Sequence, residues 1–262
     1  MTRSDHPARR PAIITGASSG IGKATAVEFA ARGFPVAVGA RRVEKLEKLV
    51  DKIRRDGGEA VCFALDVTDP DSVESFVAQT VDAIGDVEVL VSGAGDMYPG
   101  KIHEIGTDAF LDQIQIHLIG AHRMANAVLP GMVSRQRGDV VFIGSDVALE
   151  PRVQMGAYGA AKAGLVAMVK NLRMELEGTG VRASIVHPGQ TSTHMGHQLT
   201  PEQLEPVLLD WAAWGQTRHG GFLQASDIAQ AVAFVAGARP GSSVVAVEMQ
   251  PEAPLAAVGA DG

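Results

Sequence analysis

Seven short apolar runs, separated by segments of helical spacing, constrain this chain more than any other feature. They are Ala12–Thr15, Pro35–Ala40, Ala60–Leu65, Val87–Val91, Val140–Ile143, Ala183–His187 and Val244–Val247. Each is brief, rich in Val and Ile, and bounded by Gly, Pro, Asp or Ser. Strands this short and this uniformly apolar are buried on both faces, as in a parallel sheet. Between them the pattern turns helical. Val73, Phe76, Val77, Thr80 and Ile84 fall on one stripe of a segment from Asp71 to Ile84, with Asp69 as its cap and Pro70 in its first turn. Asp227–Val235 reads the same way, with Ser226 as cap. Alternating strands and helices imply right-handed crossovers and an α/β fold built on a doubly wound parallel sheet.

No linker or internal repeat interrupts this rhythm. One domain is expected over 11–250, with residues 1–10 a flexible N-terminus and 251–262 a C-terminal tail. The stretch from Gln190 to Gln224 is irregular and reads as a substrate loop. Composition agrees with a globular domain: 46% hydrophobic and 20% charged residues. The net charge of −7 disfavours a nucleic-acid partner, which needs a basic face. The single cysteine, Cys62, excludes an intramolecular disulfide and a thiolate-cluster metal site, and its apolar run makes it an inert core thiol. No apolar stretch reaches the ~18 residues of a spanning helix. Met1 to Arg10 lacks the apolar core of a signal peptide. A soluble cytoplasmic protein with no membrane partner is expected.

The first run leads straight into Thr15-Gly16-Ala17-Ser18-Ser19-Gly20-Ile21-Gly22, with a helical pattern behind it. Glycines let the backbone turn sharply and let phosphate approach the first amides of a helix, where the helix dipole favours its charge. The spacing is G-x-x-x-G-x-G, not the G-x-G-x-x-G of the usual dinucleotide fingerprint. Its place between strand and helix favours a nucleotide site over a structural bend. The second run ends at Arg41 and Arg42, where an NAD site would carry an acidic residue for the ribose 2′-hydroxyl. Two guanidiniums suit a 2′-phosphate, so NADP (NADPH) is expected and NAD less so; the alternative is the start of a solvated helix face. Asp66, behind the third run, either accepts from the adenine amino group or is a turn residue.

Tyr158 and Lys162 lie four residues apart at the start of a helical segment, which puts them on one face. Tyrosine is a poor acid–base at neutral pH, but an ammonium beside it, together with the positive charge of an oxidised nicotinamide, is expected to lower its pKa. Such a phenol gives a proton to a carbonyl oxygen or takes one from an alcohol. Ser145, behind the fifth run, is placed to hold the same substrate oxygen. The tyrosine–lysine pair alone is weak; the combination with the glycine turn and Ser145 carries the argument.

Together these residues resemble the short-chain dehydrogenase/reductase (SDR) family, from Ala12 to about Pro251. The matching motifs are Thr15–Gly22, Asp66-Val67, Ser145, Tyr158–Lys162 and Pro188-Gly189. The resemblance implies a Rossmann-type sheet in three αβα layers, a nicotinamide cofactor, and reversible hydride transfer between carbonyl and alcohol. It implies that Tyr158 and Lys162 also meet the nicotinamide ribose, that Thr191 and Thr193 meet the carboxamide, and that Asp66, Val67, Gly93, Ala94 and Gly95 line the nucleotide. It implies a homotetramer or homodimer, paired through long helices near 108–132 and 158–178.

The chain departs from the family twice. Where Asn-Asn-Ala-Gly usually follows the fourth strand, it has Ser92-Gly93-Ala94-Gly95, which removes side-chain bonds that pin that strand. Where the family carries a catalytic asparagine, it has His117, within Ile116-His117-Leu118-Ile119-Gly120. His117 is expected to preserve a catalytic proton relay from the lysine to solvent and to add a limb to the pH profile near its ordinary value of about 6.5. A packed core histidine and an impaired enzyme are the alternatives.

His187, His194 and His197 have metal-like spacing but lack a carboxylate to complete a set, so no metal is expected. Trp211 and Trp214 share a helical face, and Asp146 contacts substrate or caps a turn. Met97, Tyr98, Met155 and Phe222 give the pocket an apolar lining, with His194 and Met195 on the substrate loop. The resulting expectation is an NADP-dependent oxidoreductase interconverting a ketone or aldehyde and a secondary alcohol on a fairly hydrophobic small molecule. A non-catalytic NADP-binding redox sensor is the alternative. A sugar-nucleotide epimerase or dehydratase resembles longer chains with other glycine spacing, and an enoyl reductase needs a wider tyrosine–lysine separation.

Overall fold

A computed structural model describes His6 and residues 9–193, 200–217 and 219–254. The expectations placed on residues 1–5, on His194, Met195 and His197, and on the tail beyond 254 fall outside these residues. Among the described residues, nine strands are β1 (Ala12–Thr15), β2 (Val36–Ala40), β3 (Ala60–Ala64), β4 (Val89–Ser92), β5 (Gly138–Ile143), β6 (Val181–Pro188), β7 (Thr191–Ser192), β8 (Leu223–Gln224) and β9 (Ala246–Met249). Seven of them form one parallel sheet in the order β3-β2-β1-β4-β5-β6-β9, while β7 and β8 pair separately.

The sheet runs through a sandwich of helices. One face carries α1 (Gly20–Ala31), α2 (Val43–Arg55) and α8 (Ala225–Ala236); the other carries α3 (Pro70–Ile84), α5 (Gly120–Ser134) and α6 (Gly156–Glu175), with α4 (Thr107–Ile114) packed on α6. Successive strand residues point to opposite faces. Ile14, Val38, Val141 and Val186 therefore join the core under α1, α2 and α8, while Ile13, Ala37, Phe142 and Ile185 join the core under α3, α5 and α6. Both faces are dry, and this is why the strands read as unbroken apolar runs rather than alternating ones.

The helix starts follow their caps. Asp69 accepts from the Asp71 amide at 3.0 Å with Pro70 in the first turn, as expected. For α8 the cap is Gln224, not Ser226. Gln224 and Asp227 form a reciprocal capping box, with the Gln224 amide donating to Asp227 Oδ2 at 2.7 Å, so Ser226 falls inside the helix. The expected looseness through residue 10 does not hold for Arg9 and Arg10. Arg10 is 6% exposed and pairs with Asp139 of β5, which also takes Arg182 of β6 at 2.6 Å. Arg9 donates to the Ile84 carbonyl and pairs with Glu59, both at 2.5 Å. Guanidinium pairing with a buried carboxylate ties this segment beneath the sheet. Cys62 on β3 is only half-buried, and burial pushes its thiol up from 9.0.

The stretch 190–224 is not wholly irregular: it folds into α7 (Pro201–Ala213). Pro206 sits within this helix and removes one of its backbone hydrogen bonds, which is what obscured the pattern. Among the described residues no helix is long and apolar enough to cross a membrane. The chain leaves β1 towards β2 and returns on the other side at β4. This places a crevice above the C-terminal ends of β1 and β4, where the strand order reverses.

Candidate active site

The glycine turn fills that crevice's floor. Gly16 has φ +71°, and a Cβ there would lie 2.7 Å from the Gly93 carbonyl oxygen. The turn after β1 and the segment after β4 therefore touch backbone to backbone, which only glycine permits. Gly22 brings α1 onto the turn, since a Cβ there would meet Gly16 O at 2.6 Å. The fourth strand is pinned after all, by a residue that sequence reasoning passed over. Buried Thr15 accepts at Oγ1 from the amides of both Gly93 and Ala94, each at 3.0 Å.

Ser19 starts α1 without a side-chain cap, so Ile21 and Gly22 begin the helix beside the Ser18 and Ser19 hydroxyls. Arg42 folds over them, donating to Ser18 Oγ at 2.9 Å and Ser19 Oγ at 3.5 Å. Arg41 projects next to Asp66, whose carboxylate feels its charge. The turn-residue role of Asp66 is plain: its Oδ1 accepts from the Thr68 amide (2.9 Å) and hydroxyl (2.7 Å). Burial raises its pKa, but the Thr68 bonds with Arg41 and Arg123 outweigh this and leave it below the usual range. Val67 is buried against Gly120. An uncapped helix start, hydroxyls and a guanidinium in a cradle that a Cβ would fill fit the phosphates of a dinucleotide. Beyond β6, Gly189 donates its amide to Met249 O at 2.7 Å and accepts from Thr191 Oγ1 at 2.9 Å. Thr193 turns back over Gly20, where an added Cβ would lie 3.1 Å from the threonine's. Thr193 thus reaches the glycine turn, at the end of the segment that runs from Pro188 through Gly189 and Thr191.

Ser145, Tyr158 and Lys162 converge at the crevice mouth. Ser145, two residues past the end of β5, caps a 3-10 turn (Asp146–Ala148), accepting from the Val147 amide at 3.3 Å. His187 on β6 donates from Nδ1 to the Ser145 carbonyl at 3.1 Å. The Ser145 hydroxyl stands beside the Tyr158 oxygen and favours its ionised form. Lys162 Nζ lies 5.6 Å from the centre of the Tyr158 ring and donates to Ile143 O at 2.7 Å. The expectation that the ammonium lowers the phenol needs correction. Burial dominates and pushes Tyr158 up to about 12, opposed by the neighbouring Ser145 hydroxyl. Burial likewise pushes Lys162 from 10.5 down to about 7. The phenol is held protonated.

His117 lies in a π-helical turn (Gln115–Ile119) joining α4 to α5, so helix runs from 107 to 134 with one widened turn at this residue. Its ring meets Tyr158 edge-on, centroids 5.0 Å apart. Nε2 lies 2.5 Å from the Asp96 carbonyl, which can only accept, so Nε2 carries the proton. The ring needs Gly95: a Cβ there would lie 2.8 Å from Nδ1. The expected titration near 6.5 is overturned. Burial first, then the Lys162 charge, push His117 down to about 3, so it is neutral at working pH and offers a lone pair at Nδ1.

Trp211 of α7 packs with Val147, Met155, Tyr158 and Val207, and Met97 lies against the cluster. Trp214 lies beyond the helix end and is 72% exposed, so the two tryptophans do not share a buried face. Tyr98 and Phe222 are exposed too, and of the four residues expected to line the pocket only Met97 and Met155 pack beside Tyr158. Asp146 pairs with Arg152 at 2.5 Å, and that guanidinium stacks over Trp211 at 5.4 Å. Arg152 had no signal in sequence spacing.

The profile of the short chain dehydrogenase family matches residues 10–204. The 2,3-dihydro-2,3-dihydroxybenzoate dehydrogenase of Bacillus subtilis is 34% identical over 192 residues, covering 73% of this chain and 74% of that one. Glycine betaine reductase ATRR of Emericella nidulans is 37% identical over 70% of this chain, but that alignment spans 14% of a much longer protein. Among solved structures, an alcohol dehydrogenase from the archaeon Thermococcus sibiricus complexed with 5-hydroxy-NADP superposes with a TM-score of 0.80 at 28% identity, covering 93% of this chain and 99% of that one. A variant of actinorhodin polyketide ketoreductase with NADPH gives a TM-score of 0.80 at 31% identity, covering 92% and 95%. Sequence match, sheet order and residue placement agree: the chain belongs to the short-chain dehydrogenase family and is an oxidoreductase.

Proposed function

We propose that this oxidoreductase uses NADP to interconvert a ketone or aldehyde and a secondary alcohol on a small, fairly hydrophobic molecule. The observation that carries the reading is the meeting of Tyr158, Ser145 and Lys162 at the mouth of the crevice that the glycine turn floors. Arg42, laid on Ser18 and Ser19, supports the 2′-phosphate and hence NADP over NAD, with Arg41 close behind. The complexes of related structures with NADP and NADPH support the same choice.

Hydride transfer at the carbonyl carbon is the chemistry a bound nicotinamide supplies. The chain's own groups handle the oxygen. The Tyr158 hydroxyl, protonated at neutral pH, gives its proton to the carbonyl oxygen as charge develops there. Ser145 positions that oxygen, and Lys162, anchored on Ile143 O, holds the ribose edge of the site. Trp211, Met155 and Val147 keep water from the phenol. The enzyme acts as a homodimer or homotetramer in this reading; exposed Leu111 on α4 and Met174 on α6 support pairing along those helices.

The test is NADPH oxidation by the purified chain with a panel of ketones and aldehydes. Tyr158→Phe is expected to cut turnover by about 10²–10⁴-fold while NADPH binding holds. Unchanged turnover in Tyr158→Phe, or no oxidation with any carbonyl, refutes the reading. Equal affinity for NADH and NADPH refutes the cofactor choice alone.

A further inference from the structure

We propose that Asp146 is a positioning residue for this site: clamped by Arg152, it takes the hydroxyl proton of Ser145 and so presents that oxygen to Tyr158 and the substrate as an acceptor. The inference rests on the role just given to Ser145 and Tyr158.

A serine hydroxyl has one proton and two lone pairs. Ser145 Oγ lies 3.3 Å from Asp146 Oδ1 and 3.3 Å from the Val147 amide. The amide can only donate, which occupies one lone pair. A carboxylate paired with a guanidinium can only accept, so the serine proton lies between Ser145 and Asp146. The second lone pair is left open towards Tyr158 and the substrate oxygen.

The carboxylate is held from several directions. Arg152 Nη2 sits 2.5 Å from Oδ2, and Gln250 Nε2 reaches the same oxygen at 3.4 Å from beyond β9. Arg152 is itself fixed against Trp211, whose Nε1 donates to Val153 O at 2.8 Å. Asp146 is 6% exposed, so its rotamer has little freedom. Around Tyr158 the charged or titratable groups are Asp146 and Arg152 from the β5–α6 connection, His117 from the π turn, and Lys162 on its own helix. Of these, Asp146 alone bonds to Ser145.

This arrangement favours one partner of the reaction. An alcohol hydroxyl can donate to Ser145 as it stands. A carbonyl oxygen receives a hydrogen bond from Ser145 only if the hydroxyl turns away from Asp146, so until then Tyr158 holds it alone.

The chain has two tyrosines, Tyr98 and Tyr158. In a Tyr98→Phe chain carrying 3-fluorotyrosine, whose phenol titrates at lower pH than tyrosine's, fluorine NMR follows Tyr158 alone and needs no substrate. Asp146→Asn releases the Ser145 proton to turn towards the phenolate, and is expected to lower the Tyr158 midpoint by about half a pH unit or more. With Ser145→Ala also present, the Asp146→Asn shift is expected to fall to less than half its size, because the route through the hydroxyl is gone. Arg152→Gln probes the same chain without altering Asp146 and should raise the midpoint, by a smaller amount once Ser145 is absent because only the direct charge effect then remains. No shift, or equal shifts with and without Ser145, overturns the proposal and leaves Asp146 a staple of its loop. Loss of turnover in Tyr158→Phe tests the activity separately, so the two can fail independently.

Discussion

Lys162→Met should flatten a rise in stability that the native chain shows above neutral pH. Lys162 is buried, and burial lowers it from 10.5 to about 7. Below pH 7 the folded and unfolded chains both carry its proton, and the folded one bears the full cost of a buried charge. Between pH 7 and 10.5 the unfolded chain holds a proton that the folded chain has released. Unfolding free energy must then climb with pH, by about 1.4 kcal/mol per pH unit at most. Across the window the climb amounts to about 5 kcal/mol, undiminished by solvent screening because the group is enclosed. Methionine keeps the long apolar stem and titrates nothing, so the variant should lack this rise and be more stable than the native chain at pH 7. Urea unfolding followed by circular dichroism at pH 7, 8, 9 and 10 reads both slopes. Tyr158 and Cys62, both pushed upward by burial, lose stability for the fold as pH rises through their titrations, but they do so equally in both proteins and cancel in the difference. Parallel profiles for the two proteins would refute the reasoning.

Three further outcomes follow from the same geometry. His117→Asn should leave the shape of the kcat–pH profile unchanged between about pH 5 and 9, because His117 ionises near 3; loss of a limb near 6.5 would show that it titrates after all. The same variant should resist acid unfolding better, since the stability tied to neutral His117 is present above 6.5 and is lost as pH falls towards 3. Thr15→Val keeps the side-chain shape but strands the amides of Gly93 and Ala94, costing about 1–3 kcal/mol for each in denaturant unfolding and loosening NADPH binding; a change under half a kcal/mol would mean that the pin is unimportant.

Much of the candidate site could be read directly. Gly16, Gly22, Ser145, Tyr158 and Lys162 sit at strand ends and helix starts, and short-range spacing identifies such places. Most of the misreadings come from partners that lie far along the chain, and one from a competing local cap. Ser226 lost the cap of α8 to Gln224 because Asp227 stands three residues on to complete the box. Arg10 was read as loose because its partner, Asp139, lies 129 residues away. Thr15 was overlooked because the amides it holds lie 78 and 79 residues downstream. His117 was assigned its ordinary ionisation because nothing in Ile116-His117-Leu118 says that the ring will be enclosed between Gly95, Asp96 and Tyr158.

By itself, then, the amino-acid order determined which segments are strands and helices, that both faces of the sheet are dry, and which phenol, amine and hydroxyl stand ready at its edge, because apolar periodicity and turn chemistry are properties of near neighbours. Tertiary structure alone decided the proton state of those groups and the partners that hold them, Asp146 on Ser145, Arg152 on Asp146, His117 against Tyr158. Ionisation depends on how much water is removed and which charge stands a few ångströms away, and both are set by residues that meet only when the sheet closes.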